Sequence, residues 1–171
     1  MALCETPLGI VNAAEIAAAP EVIAMMWGAE DLIAVMRGRT SRFPDGRYRD
    51  VARHARSAVL LAASAYGRPA IDSVYLDIPD LDVLAAEAED AAASGFTLKA
   101  CIHPSQVTVV RQAFRADEAQ VAWARRVLDA VRASAGGNDS GAIKVDGQMI
   151  DAPVIRQAEA ILASHDWSEG M

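Results

Sequence analysis

The feature that most limits how this chain can fold is an alternation. Short apolar runs bounded by turn residues are separated by longer, alanine-rich stretches with a helical repeat. Such runs suit buried strands, and the stretches between them suit crossover helices. Strand–helix–strand units stack their strands in parallel, and side chains at the strands' carboxyl ends then share one edge.

Strands are predicted at Ala2 to Cys4, Val22 to Trp27, Ser73 to Asp77 ("SVYLD") and Leu98 to Ile102 ("LKACI"). Helices are predicted between and after them. "GIVNAAEIAA" (9–18) is one, stopped near Pro20. Asp45 to Tyr66 is the clearest, with Tyr48, Val51, Ala55, Val59, Ala62 and Tyr66 recurring at helical spacing. Asp80 to Ala93 ends at Gly95. Pro104 fits the first turn of a short helix. Asp117 caps a further one, with Val121, Ala124, Leu128 and Val131 on one face. Residues 1–135 read as one α/β portion. Residues 136–171 read as an extension: a "GGNDSG" linker (136–141), a hairpin turning at Asp146-Gly147, and a last helix opened by Asp151-Ala152-Pro153. That helix turns Ile155, Ala158, Ile161 and Leu162 inward, and its tail is expected to fray from His165.

Four strand–helix units make half of an eight-stranded β/α barrel. A doubly wound open sheet is the competing arrangement. No G-x-G-x-x-G follows the first strand, which counts against its dinucleotide-binding form.

The bulk numbers exclude some functions. A formal charge of −7 without a basic stripe argues against nucleic-acid binding, although a local patch can still bind an anionic small molecule. No apolar run approaches the ~20 residues of a membrane span. Met1 to Glu5 lacks the basic start of a signal peptide. Cys4 and Cys101 sit in apolar runs and are expected to be buried free thiols, which suits a reducing, cytoplasmic setting.

Two acids stand out. The first apolar run reaches Glu5, and the second, "MMWGAED", reaches Glu30 and Asp31 after a glycine. Neighbouring parallel strands lie ~4.8 Å apart, so Glu5 and Asp31 can converge at one edge. Two carboxylates so placed either repel or share a hard cation such as Mg²⁺. From spacing alone, separate loop acids that cap helices explain them as well. Glu30 should point elsewhere, toward a cap or an ion pair.

The segments "ETPLGIVNAAEIAAAP", "MMWGAEDL", "DSVYLDIPDLDVLAAEAEDAAASGF", "KACIHPSQV" and "DGQMIDAP" together resemble the citrate lyase β-subunit-like family. That family is grouped with malyl-CoA and citramalyl-CoA lyases in the 2-oxo-acid aldolase superfamily. The resemblance implies a (β/α)₈ TIM barrel, of which this chain supplies about four C-terminal βα units plus a C-terminal hairpin and helix. It implies a Mg²⁺-dependent carbon–carbon lyase acting on a 3-hydroxy-acyl thioester of the malyl-, citramalyl- or citryl-CoA type. The products are acetyl-CoA or a related thioester plus a 2-oxo acid. It also implies a homo-oligomer, and either coenzyme A or an acyl carrier protein as thioester carrier.

By the same resemblance Glu5 and Asp31 are the metal ligands, and backbone amides around Gly28, Ala29 and Glu30 help hold the oxo-acid carboxylate. Asp151, in the "MID" motif, moves a proton in the site of a neighbouring subunit. It is also a good helix N-cap, and the two roles are compatible. Ile102, His103 and Pro104 form pocket wall near the thioester. Proton transfer by His103 is disfavoured, and Asp77 is read as a structural acid. Arg37, Arg39, Arg42 and Arg47 either contact CoA phosphates or form a solvated loop. The resemblance makes Ala2 to Cys4 the fifth of eight strands, so the 171-residue chain is expected to be an incomplete catalyst. Two other functions stay open: a malyl-CoA-type thioesterase, and a non-catalytic half-barrel that binds a partner.

Overall fold

A computed structural model describes residues 1–135 and 143–169, so the expected linker at 136–141 lies outside the described residues. In chain order the elements are β1 (Ala2–Cys4), α1 (Pro7–Val11), α2 (Ala13–Ala18), β2 (Met25–Trp27), α3 (Ala29–Val35), α4 (Asp50–Ala65) and β3 (Ala70–Asp72). There follow α5 (Leu81–Ser94), β4 (Leu98–Lys99), α6 (Pro104–Ala113), α7 (Glu118–Ala135), β5 (Lys144–Val145), β6 (Gln148–Met149) and α8 (Ala152–Glu169). They fall into two compact units, residues 1–114 and 115–171. The division lies before α7 rather than at 135. The reason is packing: α7 buries Ala124 and Val127 with Ile150 and Ala158 of the second unit.

In the first unit the strands pair in parallel in the order β1-β2-β3-β4. A doubly wound sheet reverses its order at a switch point, and this sheet has no reversal. Successive residues of a strand point to opposite faces. Cys4, Met25, Trp27 and Ala70 point to one face and pack with Ala13 and Ala17 of α2 and Ala52, Ala55, Val59 and Ala63 of α4. Alanine on those helices lets their backbones approach the sheet closely. On the other face the registers Leu3↔Met26, Met26↔Ile71 and Ile71↔Leu98 set an apolar row across all four strands. Leu3 is 45% exposed and Leu98 40%, and none of the four belongs to a buried cluster. Parallel sheets are normally covered on both faces; this row lies open.

Several expectations are corrected. The third strand is Ala70–Asp72, not "SVYLD". After Asp72, side chains take the next carbonyls: Lys99 Nζ donates to Ser73 O at 2.9 Å and Gln106 Nε2 to Tyr75 O at 2.9 Å. The fourth strand stops at Lys99 for a similar reason, since Ile102 N–H donates to the Gln106 side chain at 2.9 Å. Cys101 therefore lies past the strand and is exposed, whereas Cys4 is buried as expected and burial pushes its thiol up. The second strand is shortened to Met25–Trp27.

The long helix starts at Asp50. Asp45 instead folds a turn by accepting from Arg47 N–H at 3.1 Å, and Arg42 and Tyr48 pair across it. Its buried face is Ala52, Ala55, Val59, Ala62 and Ala63, while Val51 and Tyr66 face out. The helix read at 9–18 is two short ones meeting at Asn12.

The second unit follows expectation more closely. Asp117 Oδ1 accepts from Gln120 N–H at 2.7 Å, and Gln120 Oε1 accepts from Asp117 N–H at 2.9 Å, a reciprocal cap. Asp146 (φ 51°) and Gly147 (φ 81°) form the left-handed pair that a two-residue hairpin turn requires. Helix α8 runs through to Glu169, past the expected fraying point. Among the described residues no helix is long and apolar enough to cross a membrane.

Candidate active site

β1 ends at Cys4 and the chain turns at once into α1, which Thr6 caps by accepting from Gly9 N–H at 3.1 Å. Glu5 is thus held between strand and cap, half-buried at the carboxyl edge. β2 ends at Trp27, and Gly28 is the N-cap of α3. Gly28 N–H donates to Cys4 O at 3.2 Å, so the β1–β2 ladder runs one step past the strands and brings Gly28 beside Glu5. A Cβ on residue 28 would lie 2.9 Å from Glu5 Cβ and 2.9 Å from Glu5 Oε2. Real Cβ atoms essentially never come that close. The missing side chain at 28 is the space the Glu5 carboxylate uses.

Asp31 sits in the first turn of α3, exposed, three residues beyond that contact. Adjacent parallel strands therefore deliver both acids to one edge of the sheet. Glu5 and Leu3, two residues apart on an extended segment, share the open face. Among the described residues neither the Glu5 nor the Asp31 carboxylate has a hydrogen-bond or ion-pair partner. Glu30 does point elsewhere: its Oε1 accepts from the buried Ser41 hydroxyl at 2.6 Å. The amides implicated at 28–30 are reduced to those of Ala29 and Glu30, because the Gly28 N–H is already spent on Cys4 O.

Two of the other expected site residues, His103 and Asp151, are helix caps. His103 is the N-cap of α6: its Nδ1 accepts from Ser105 N–H at 3.2 Å, with Ser105 Oγ at 2.8 Å, and Pro104 opens the helix. That bond fixes the imidazole and leaves Nε2 outside the cap. Ile102, 47% exposed, is tied through its amide to Gln106. Asp151 caps α8, Oδ1 accepting from Val154 N–H at 3.2 Å, and is exposed. Asp77 lies on the loop before α5, not at a strand end, because β3 ends at Asp72. Of the four arginines, Arg42 pairs with Glu87 and lies 3.8 Å over the Tyr48 ring, and Arg47 pairs with Asp45 at 2.7 Å. Only Arg37 and Arg39 of that group remain exposed and without such a partner.

Sequence reasoning missed a buried charge cluster on the helix side of the strand ends. Asp72 is 2% exposed and collects Trp27 Nε1 at 2.7 Å, Arg56 Nε at 3.0 Å and Lys99 Nζ at 3.1 Å. Lys99 lies 3.5 Å from Glu87, which also pairs with Arg42, and Arg56 reaches Asp90 at 2.7 Å. Burial alone would raise the Asp72 carboxyl, but Lys99, Arg56 and the Trp27 N–H outweigh it and hold it below the usual carboxylate range. Trp27, Asp72 and Lys99 are the last residues of β2, β3 and β4, so the cluster knits three strand ends to α4 and α5. The signal was a charge inside each of two apolar runs, "AID" and "LKA".

Among the described residues no group of three or more His, Cys, Asp and Glu could hold a metal ion. An ion at Glu5 and Asp31 would draw its remaining ligands from water or substrate. Mg²⁺ fits such a set, since it keeps several waters and binds through one or two carboxylates.

The profile of the family described as HpcH/HpaI aldolase/citrate lyase matches residues 1–104. A citrate lyase subunit beta-like protein of Mycobacterium tuberculosis (strain CDC 1551 / Oshkosh) is 57% identical over 162 residues, covering 95% of this chain and 58% of that protein. The mitochondrial citramalyl-CoA lyase of Rattus norvegicus is 36% identical over 139 residues, 81% of this chain and 39% of that one. Among solved structures, CitE of Mycobacterium tuberculosis in complex with magnesium, acetoacetate and coenzyme A superposes with a TM-score of 0.86 at 55% identity, covering 97% of this chain and 60% of that one. The chain therefore spans a little over half the length of these bacterial relatives.

Proposed function

This chain belongs to the HpcH/HpaI aldolase/citrate lyase family, and on that premise we propose that it carries the metal half of a carbon–carbon lyase site. The substrate is a 3-hydroxy-acyl thioester of the malyl-, citramalyl- or citryl-CoA type, and the products are a 2-oxo acid and acetyl-CoA or a related thioester. The observation that carries this reading is the unpaired Glu5 carboxylate seated against Gly28. Asp31 follows it in the first turn of the next helix. A Mycobacterium tuberculosis relative similar over nearly the whole chain binds magnesium, acetoacetate and coenzyme A, which supports the same ligand classes here.

Glu5 and Asp31 would hold Mg²⁺. When bound, the ion supplies Lewis-acid polarisation of the oxo or hydroxyl oxygen and a template for the neighbouring carboxylate. The Ala29 and Glu30 amides orient that carboxylate, and Gly28 leaves room for it beside Glu5. Ile102, His103 and Pro104 wall the thioester, with His103 fixing the loop as a cap. Asp151 of a neighbouring subunit moves the proton at the thioester α-carbon. Its cap uses Oδ1 and leaves Oδ2 for that task. The reading includes a homo-oligomer in the cytoplasm, with coenzyme A or an acyl carrier protein as thioester carrier.

The fold proposed is a (β/α)₈ barrel in which Leu3, Met26, Ile71 and Leu98 face the interior. The unreversed strand order and the open apolar row support it. That same row favours a second reading, a half-barrel that needs a covering chain and turns nothing over alone. One experiment tests both. Malyl-CoA is incubated with the 171-residue chain and Mg²⁺, and products are separated. Glyoxylate with acetyl-CoA supports the lyase; malate with free CoA supports a thioesterase. No turnover, together with a species larger than a monomer by light scattering, supports the half-barrel.

A further inference from the structure

Residues 36–49 join α3 to α4, a long connection for a compact unit. Its second half is a small hairpin: Phe43 N–H donates to Arg47 O at 2.8 Å, and Arg42 pairs with Tyr48. Ser41, 2% exposed, stands at its root and joins two elements. Its hydroxyl donates to Glu30 in the first turn of α3 at 2.6 Å, and its carbonyl accepts from Arg49 N–H, the N-cap of α4, at 2.8 Å. The next residue, Arg42, is pinned to α5 through Glu87 and stacked on Tyr48. The 2.6 Å separation marks a charge-assisted bond, stronger than a neutral one. One end of this brace is thus the buried charge cluster, and the other is the residue adjacent to Asp31.

We infer that Ser41 and Glu30 are positioning residues: the Ser41–Glu30 bond fixes the first turn of α3 and so sets where the Asp31 carboxylate stands relative to Glu5. The inference rests on the proposed metal pair, but its mechanical half can be measured without metal. Glu30 acts here through its side chain, toward the protein. It adds no ligand of its own.

The test uses the full 171-residue chain with Ser41→Ala, Glu30→Ala and both together. Mn²⁺ affinity is read by electron paramagnetic resonance, and amide hydrogen exchange at residues 33–35, whose N–H groups bond the carbonyls of residues 29–31 in the first turn, is read in the metal-free chain. The two single variants are expected to weaken Mn²⁺ binding equally, by about tenfold, the worth of one hydrogen bond to a charged group. The double variant is expected to lose no more than either, because both delete one bond. Exchange at 33–35 is expected to quicken about tenfold in all three. Unchanged exchange in Ser41→Ala overturns the inference, whatever the metal does. So does a Glu30→Ala loss much larger than that of Ser41→Ala, which would make Glu30 a direct partner of the ion. If the unmodified chain binds no Mn²⁺, the metal reading fails, and quickened exchange still supports the brace.

Discussion

Asp72→Asn is expected to destabilise the first unit by about 3–5 kcal/mol, the usual cost of stripping one partner from a buried ion pair. The lowered midpoint should appear in urea unfolding with little change in slope. The reason is Lys99. Its side chain is 0% exposed, and without the Asp72 charge it keeps, among the described residues, only Ser73 O and Glu87 at 3.5 Å. Asp90→Asn is the control. Asp90 is 64% exposed and pairs with the same Arg56, so its loss should cost less than about 1 kcal/mol. Equal effects of the two variants would mean that burial is not what makes the cluster matter.

The same carboxyl sets a pH dependence. Its folded value is depressed below the ordinary range. Its stabilisation is therefore complete above the unfolded value, about pH 4, and is lost as pH falls through the lower folded value. Below about pH 4 the unmodified chain should lose stability more steeply than Asp72→Asn.

Gly28→Ala is expected to weaken divalent-ion binding by ~10–100-fold, the range seen when a group that orients a metal ligand is disturbed. The added methyl lies 2.9 Å from both Glu5 Cβ and Glu5 Oε2; side-chain rotation relieves the second contact, but the first also pushes the two backbones apart, so the carboxylate is displaced either way. Gly28 has φ −126° and ψ 125°, an extended conformation open to alanine, so backbone strain does not confuse the result. Circular dichroism should change little, and the Cβ contact should cost about 1–3 kcal/mol in urea unfolding. Unaltered Mn²⁺ affinity would show that Glu5 does not need its present place.

The carboxyl edge was legible in the sequence where an apolar run ends on an acid. Glu5 after "ALC" and Asp31 after "MMWGAE" needed only strand order and a glycine. The third strand was not legible, because "SVYLD" is richer in β-forming residues than "AID". Its carbonyls are claimed by Lys99 and Gln106, which lie 26 and 31 residues away. The buried cluster was hidden for the same reason. Trp27, Arg56 and Lys99 converge on Asp72 from 45, 16 and 27 residues away, and local pattern carries no such distances. The Asp151 cap was readable, because capping is local.

The central claim is that Glu5 and Asp31 act on one ion. Mn²⁺ titration of the 171-residue chain, followed by electron paramagnetic resonance, tests it most directly. The account predicts saturable binding that is lost in Glu5→Gln and equally lost in Asp31→Asn, with the circular dichroism of both variants unchanged. Binding that survives in either variant at the original affinity would contradict it.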